Sequence, residues 1–245
     1  MYGIKRTTKY QIARHMKPYK HYSFDLWLTL IRSNPQWKLE RAKIFHARYN
    51  PLKKSFEEVV TIFRQVDLMV NSINEKTGKN IDADEMYLMV ISILNNFEPG
   101  FIDIDPEALY QEMESLIFYY MPQVYSEDTK VTLAGLRESG LSTVSLLCNT
   151  GFISGITLRK VLKQLELDQY LDFQLYSDEE GLAKPNPDFF QLMLNKINRH
   201  KHRDLQLHDV VHVGDNPIAD ILGANNVGIH SVQINSNHQT ITCLR

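Results

Sequence analysis

Four residues that could do chemistry stand at or near the ends of short apolar runs in this chain of 245 residues: Asp25, Lys184, Asp215 and Asp220. The first three directly follow such a run, and Asp220 lies five residues after Asp215. A carboxylate in that position can attack phosphorus or carbon, and two carboxylates can bind a hard divalent cation such as Mg²⁺. If the runs are parallel strands, the four side chains meet at one edge of a sheet, where open α/β sheets bind ligands.

Five β-rich runs predict the strands that position these residues, namely 21–26, 143–149, 173–178, 210–215 and 229–235. Helical patterns separate the later runs. Residues 154–166 carry apolar side chains at helical spacing after Ser154, a suitable N-cap, and Asn186 and Asn216 each precede a proline that suits the first helical position. Strands that alternate with helices predict a parallel sheet.

A long segment, residues 27–142, separates the first two runs, although a strand–helix–strand unit takes only about 30 residues. The segment has no convincing strand and four helical patterns, at 39–49, 56–75, 84–95 and 106–121. We therefore predict an all-helical domain at 35–122, inserted into a sheet core formed by 21–34 and 123–245. Five aromatic residues could line a pocket against the sheet edge, but aromatic residues at these spacings usually lie in helix cores; they are Phe97, Phe101, Phe118, Tyr119 and Tyr120.

The overall composition limits the classes of partner. A net charge of −2 and an isoelectric point near 6.5 give no reason to expect nucleic acid or an acidic membrane. Two cysteines supply neither a disulfide framework nor a cysteine zinc cluster. No apolar stretch approaches the ~20 residues that span a bilayer. We expect a cytoplasmic protein with a small-molecule substrate, and the oligomeric state stays open.

Residues 1–20 form a basic N-terminal extension without an acidic residue. No apolar segment follows its charged start, so we do not expect a secretory signal. A basic arm that binds an anionic partner is one interpretation, and a flexible, solvated terminus is the favoured one. A third is that translation begins at Met16, because residues 16–20 lead directly into the first predicted strand.

Taken singly, the four residues have simpler explanations. An aspartate at a strand end often caps a turn, Asp220 can interact with a helix N-terminus, and lysines are common on surfaces. The segment 214–220 is more informative, because a glycine–aspartate pair followed by a second aspartate suits Mg²⁺, which takes one or two carboxylates plus water and phosphate. Lys184 would neutralise a nucleophile and a transferring phosphoryl group. The polar groups that follow the second predicted strand could hydrogen-bond an oxyanion.

Together these motifs resemble those of the haloacid dehalogenase superfamily of hydrolases. Four segments at family-like separations carry the resemblance: 24–30 (Phe-Asp-x-x-x-Thr-Leu), 148–149 (Cys-Asn), 181–187 (Gly-x-x-Lys-Pro-x-Pro) and 214–220 (Gly-Asp-x-x-x-x-Asp). No single motif is decisive, but four in register rarely coincide. The resemblance covers nearly the whole chain after residue 20 and implies an α/β fold class, a Rossmann-like three-layer parallel sheet core with an inserted all-helical cap domain.

The resemblance also implies roles for the acidic and basic residues. Asp25 would be the nucleophile, and Lys184 would balance its charge. Asp215 would be the principal Mg²⁺ carboxylate, and Asp220 would be a second, supporting acid. Asp25 and the backbone carbonyl of Trp27 would complete the set of metal ligands.

Thr29, Cys148 and Asn149 would contribute to substrate binding, but the chain departs from the phosphatase pattern at three positions. Cys148 replaces the serine or threonine that hydrogen-bonds the phosphoryl oxygen, and a thiol is a weaker donor. Trp27 replaces the aspartate that protonates the leaving group and activates water, a contribution of roughly 10²–10⁴-fold in rate. Leu28 stands where glycine is common.

These features favour a Mg²⁺-dependent phosphatase that acts on a small phosphorylated metabolite through an aspartyl-phosphate at Asp25, slowed by the loss of the acid at position 27. One alternative is a dehalogenase- or phosphonatase-type hydrolase, since those enzymes also lack the second aspartate. Dehalogenases, however, use no magnesium and tend to lack the 214–215 motif. The other alternative is a protein that binds a ligand or metal but has lost useful catalysis, which Trp27 and Cys148 favour.

Overall fold

The structure, a computed structural model, describes residues 19–98, 103–138, 140, 142–202 and 204–245, with the backbone alone for residues 198–200. Most of the predicted N-terminal extension, including Met16, lies outside the described residues. In the described part of the chain, no helix is long and apolar enough to cross a membrane.

The β-strands are β1 (His21–Phe24), β2 (Ile31–Arg32), β3 (Gln123–Val124), β4 (Thr143–Cys148), β5 (Phe173–Tyr176), β6 (Val210–Gly214) and β7 (His230–Gln233). Five of them form a parallel sheet in the order β5-β4-β1-β6-β7, with β1 at its centre. The five predicted strands are thereby confirmed, although each predicted run extends slightly beyond the observed strand.

The α-helices are α1 (Pro35–Arg48), α2 (Phe56–Thr77), α3 (Ala83–Leu94), α4 (Pro106–Tyr119), α5 (Asp128–Glu138), α6 (Gly155–Gln164), α7 (Ser177–Glu180), α8 (Pro187–His200) and α9 (Gly223–Asn226). A π-helical turn, Pro217–Leu222, precedes α9. Ser154, Asn186 and Asn216 cap α6, α8 and this turn, as the sequence predicts.

Apolar side chains cover both faces of the parallel sheet and produce the three-layer architecture. Every residue of β4 is buried, as expected for a parallel strand covered on both sides. Successive side chains point to opposite faces, so Leu146 packs with Phe24 in one apolar cluster, and Leu147 packs with Phe189 and Phe190 of α8 in another. The predicted Rossmann-like core is confirmed.

Helices α1 to α4 lie between β2 and β3, where the sequence predicts the cap, and we call this helical insertion the cap. α2, its longest helix, begins with a capping box between Ser55 and Glu58 and ends at Gly78, whose φ of +66° suits glycine. β2 and β3 pair antiparallel where the chain leaves and re-enters the core. The sequence indicated no strand there, because two-residue strands are too short to show alternation. The domain boundaries at 34/35 and 122/123 stay predictions.

Direct hydrogen bonds hold the cap over the carboxyl edge of the sheet. The Gly78 carbonyl oxygen at the end of α2 accepts from the Ala183 amide (3.0 Å) and from Asn186 Nδ2 (3.2 Å). The Tyr87 hydroxyl of α3 donates to the Phe152 carbonyl oxygen (2.9 Å). The cap therefore contacts the loops that follow the strands, where the sequence places the chemistry.

Candidate active site

Asp25 and Asp215 lie side by side because they follow adjacent parallel strands. Asp25 follows β1, and its amide donates to the Val213 carbonyl oxygen of β6 (2.9 Å). This bond continues the backbone hydrogen bonding between β1 and β6 by one residue. Asp215 follows β6 directly. The Asp25 residue is 7% exposed, and Asp215 is half-buried. Both carboxylates thus stand at the same edge of the sheet.

Lys184 reaches this edge from a loop, and residues 181–183 do not form the strand that their apolar pattern indicated. Its ammonium lies 2.8 Å from Asp25 Oδ1 and 2.6 Å from Asp220 Oδ1, and the residue is 1% exposed. Asn149, which follows β4, holds the lysine backbone, because its Oδ1 accepts from the Lys184 amide (2.7 Å) and its Nδ2 donates to the Lys184 carbonyl oxygen (2.9 Å). Asn149 therefore positions the lysine.

Asp220 is fully engaged by its neighbours. Its Oδ1 accepts from Lys184 and lies 3.1 Å from His212 Nε2, and its Oδ2 accepts from the Asn216 amide (2.9 Å). The carboxylate lies directly over the backbone at Gly214. The glycine of the 214–220 motif is therefore needed for the close approach of Asp220.

His212 extends this buried network and was not among the residues selected from the sequence. Its Nδ1 lies 3.0 Å from Ser23 Oγ on β1, and burial lowers its pKa below the ordinary value. A neutral imidazole with an acceptor-only carboxylate at Nε2 carries its proton there, so Nδ1 accepts from Ser23. A histidine within the apolar run 210–214 was the one signal available in the sequence.

Burial and charge set the electrostatics of the cluster. Burial raises the pKa of Asp25 to about 6 although Lys184 opposes the change. Burial, Asp25 and Asp220 together raise the pKa of Asp215 to about 7. Burial would also raise the pKa of Asp220, but Lys184 and the hydrogen bond from His212 outweigh it and hold that pKa well below the usual range. Three carboxylates share one ammonium here, so a further cation would be stabilised.

The donor set fits Mg²⁺, which prefers oxygen ligands and few carboxylates. Asp25, Asp215 and Asp220 place one carboxylate oxygen each within 4.8 Å of one another. Asp220 already accepts three hydrogen bonds, so Asp25 and Asp215 have the oxygens best placed for a metal. Among the described residues, none donates a hydrogen bond to the Trp27 carbonyl oxygen, which leaves that oxygen available as a ligand.

A cavity of about 640 Å³ lies above this cluster, between the cap and the core, and its volume suits a small-molecule ligand. Its core wall includes Asp25, Trp27, Asn149, Lys184, Asp215 and Asp220, and its cap wall includes Trp37, Lys38, Arg41, Phe63 and Arg64. The described residues that line it do not include Phe97, Phe118, Tyr119 or Tyr120, and Phe97 and Tyr119 are exposed. Phe101 lies outside the described residues. The cap side chains that face the site come from α1 and α2.

Thr29 and Cys148 are buried next to the site and are absent from the described lining of the cavity. The Cys148 thiol donates to the Asn149 carbonyl oxygen (3.3 Å), and burial raises its pKa well above the ordinary value, so the thiol is neutral. Leu28 is 52% exposed with a φ of +57°, a left-handed conformation that glycine adopts more easily. The roles in substrate binding that the resemblance implies for Thr29, Cys148 and Asn149 stay predictions.

A parallel α/β core with an aspartate, a lysine and further carboxylates at its carboxyl edge, under a helical cap, defines hydrolases of the haloacid dehalogenase type. The chain belongs to this family, because residues 19–228 match the family model described as haloacid dehalogenase-like hydrolase.

The sequences of similar proteins and the folds of solved structures are consistent with this family. The chain is 25% identical to the Rhythmically expressed gene 2 protein of Drosophila melanogaster, over 90% of this chain and 85% of that one. It is 25% identical to a glyceraldehyde 3-phosphate phosphatase of Methanocaldococcus jannaschii, over 86% and 82% of the two chains. The structure of the HAD hydrolase YfnB from Bacillus subtilis, bound to magnesium, has a TM-score of 0.69 at 15% identity and covers 91% of this chain and 92% of its own. At 15% identity, the similarity to YfnB supports the fold of this chain and nothing beyond it.

Proposed function

We propose that this hydrolase is a Mg²⁺-dependent phosphatase that cleaves small phosphomonoesters through an aspartyl-phosphate at Asp25. The observation that carries the proposal is the buried Lys184 ammonium, which bridges Asp25 and Asp220 at the floor of the cavity. Phosphatase names among the relatives support it, including glyceraldehyde 3-phosphate phosphatases and, over 46% of this chain and 43% of its own at 35% identity, a ribulose-1,5-bisphosphate 5-phosphatase of Halopiger xanaduensis.

Asp25 attacks phosphorus with the carboxylate oxygen that does not pair with Lys184. The bond from Asp25 to phosphorus forms as the bond from phosphorus to the leaving oxygen breaks. The leaving alkoxide takes a proton from water, because position 27 is tryptophan and offers no acid. A second water then attacks the phosphorus of the aspartyl-phosphate and loses a proton to solvent as the bond between the Asp25 oxygen and phosphorus breaks, which releases inorganic phosphate and restores the carboxylate.

The other residues of the cluster position the positive charges that neutralise Asp25 and the phosphoryl group. Lys184 balances the negative charge of Asp25 and of the phosphoryl group, and Asp220 and Asn149 keep the lysine directed at the site. Asp25, Asp215 and the Trp27 carbonyl oxygen would hold Mg²⁺, which supplies further neutralisation of the phosphoryl oxygens.

The predicted division into a cap at 35–122 and a core at 21–34 and 123–245 belongs to the same proposal. The β2–β3 pair supports it, because it joins the two crossings of the chain just inside these boundaries. A small phosphorylated molecule is the proposed partner, and a cytoplasmic location stays a prediction.

Hydrolysis of an activated aryl phosphate by the wild type and by Asp25→Asn, with and without Mg²⁺, tests the mechanism. We expect turnover that requires both Asp25 and the metal. Asp209→Asn is a matched control, because Asp209 is also 7% exposed and ion-paired, to Lys20 at 2.8 Å, but precedes β6 at the opposite end of the sheet. Wild-type protein without activity in any condition would argue against a phosphatase and favour the other hydrolase types or a binding role.

Calorimetric titration with Mg²⁺ tests the metal site separately from turnover. We expect wild-type protein to bind the ion and Asp215→Asn to bind it at least about tenfold more weakly, because a coordinating carboxylate is lost. Equal binding by the two proteins would place the metal elsewhere, and no binding by the wild type would remove it from the mechanism.

A further inference from the structure

Arg41 of α1 is buried in the cap wall of the cavity, and no carboxylate of the described residues forms an ion pair with it; the nearby Asp67 pairs with Arg64 instead. The residue is 4% exposed, yet its Nε and Nη1 atoms have no hydrogen-bond partner in the described part of the chain. The Tyr87 hydroxyl, which lies close to the guanidinium, donates its own proton to the Phe152 carbonyl oxygen. A buried guanidinium with two unpaired donor atoms is costly, so a missing acceptor is the simplest physical reason for it.

Three aromatic rings surround the guanidinium of Arg41. Its central carbon lies 4.2 Å from the centroid of Trp37, 4.1 Å from that of Phe63 and 4.3 Å from that of Phe152. Rings around a guanidinium stabilise its charge through its faces, whereas its N–H donors point outward in the guanidinium plane. The rings therefore fix the side chain at the wall of the cavity, where its unpaired N–H donors require an acceptor.

The indole N–H of Trp37, which lies next to Arg41, also needs a hydrogen-bond acceptor. Trp37 Nε1 is also buried without a hydrogen-bond partner among the described residues, and Trp37 lines the same cavity. An indole N–H and a guanidinium can only donate, so the group that satisfies both must be rich in acceptor oxygens. The planar fork of arginine matches a carboxylate or a phosphate.

We propose that Arg41 binds a second anionic group of the substrate, a carboxylate or a second phosphate, while the scissile phosphate lies against Asp25 and Lys184. The inference rests on the proposed function for the position of the scissile phosphate. It makes the preferred substrate a small phosphomonoester with another anion at its far end. Arg41 is then a specificity-determining residue contributed by the cap.

The other arginine on this wall provides a contrast. Arg64 of α2 already pairs with Asp67 at 2.8 Å, and its side chain is 65% exposed. Arg64 has the same formal charge as Arg41, but its guanidinium is exposed and already paired. A comparison of the two positions therefore separates specific binding from general attraction by positive charge.

Calorimetry on the Asp25→Asn protein, which binds without turnover, tests the proposal with three-carbon probes that share one phosphate. Glycerol 3-phosphate carries a hydroxyl at its far end, 3-phosphoglycerate a carboxylate and glycerol 1,3-bisphosphate a second phosphate. We expect at least one of the two probes with a second anionic group to bind roughly 10–100-fold more tightly than glycerol 3-phosphate. The preferred probe identifies the second group.

The same titrations on Arg41→Met should abolish that preference, whereas Arg64→Met should change it by less than about twofold. Arg41→Lys keeps the charge without the fork, and we expect it to retain only part of the preference. If Arg41→Met does not fold, the wild-type preference and Arg41→Lys decide the question.

Equal affinity for the three probes, or a preference that survives at Arg41→Met, would overturn the inference and leave the arginine a packing residue. A retained preference in binding, together with inactivity of the wild type on aryl phosphates, would uphold the anion site while rejecting the phosphatase.

Discussion

A Cβ atom added at Gly214 would lie 2.2 Å from the Asp220 carboxylate. The clash involves a carboxylate that Lys184, His212 and the Asn216 amide hold in place, so the side chain cannot simply rotate away. The close approach of strand end and carboxylate therefore requires glycine, and it keeps Asp220 within reach of the lysine.

Gly214→Ala should lower the free energy of unfolding by about 1–3 kcal/mol and reduce aryl phosphate hydrolysis at least about tenfold, since Asp220 must move. Urea unfolding and a rate assay measure the two effects. Gly135→Ala in α5 is the control, because no atom of the described residues, apart from the backbone of its own helix, lies within 4 Å of its added Cβ. It should stabilise the protein by about 0.5–1 kcal/mol. A wild-type rate in Gly214→Ala would contradict the role of this contact.

Lys184→Met should both abolish turnover and destabilise the protein. Removal of the ammonium leaves Asp25 and Asp220 buried without their shared cation, a change that costs about 3–5 kcal/mol in comparable buried pairs. Lys130→Met removes an exposed lysine paired with Glu166 at 2.9 Å and should cost less than about 1 kcal/mol. Equal losses of stability in the two variants would contradict the burial argument.

His21 should make stability depend on pH. It lies between Thr143 Oγ1 (2.7 Å) and Ser145 Oγ (2.8 Å), and burial lowers its pKa from 6.5 to about 3. Between pH 6.5 and about pH 3, the His21 imidazole is therefore protonated in the unfolded chain and neutral in the folded protein. Stability from this group is complete above pH 6.5 and is lost as the pH falls toward 3, by about 2 kcal/mol between pH 7 and pH 5.

Urea unfolding of wild type and His21→Gln at both pH values measures this contribution. Glutamine can still hydrogen-bond both hydroxyls but does not titrate. The difference between the proteins is the informative quantity, because the raised pKa values of Asp25 and Asp215 act in the opposite direction and are common to both. The same pH dependence in both proteins would show that His21 does not titrate on unfolding as described.

Trp27→Asp should restore acid catalysis. Trp27 is half-buried and lines the cavity near Asp25, where a carboxylic acid could protonate the leaving oxygen. An alkyl leaving group needs that proton more than an aryl one, so the rate on an alkyl phosphate should rise by more, up to roughly 10²-fold. Trp27→Asn controls for the change in shape. A larger gain on the aryl substrate would count against a missing acid.

The local pattern of the sequence was sufficient for much of the fold. Apolar runs followed by polar residues identified the five strands of the parallel sheet, and serine and asparagine residues before helical patterns identified the caps. These features depend on neighbouring residues and on alternation, which a sequence displays directly. The short β2–β3 pair was missed because two residues carry no period.

The chain by itself determined the parallel core, the helical insertion and the positions of the carboxylates at strand ends, because each depends on contacts that are local or repeated along the chain. Only the tertiary structure decided that Lys184 reaches Asp25, 159 positions away, from a loop. It also decided that His212 supports Asp220 and that Arg41 faces the same cavity. The physical reason is that such contacts depend on how the elements pack, and no periodic pattern in the sequence encodes which distant side chains will meet.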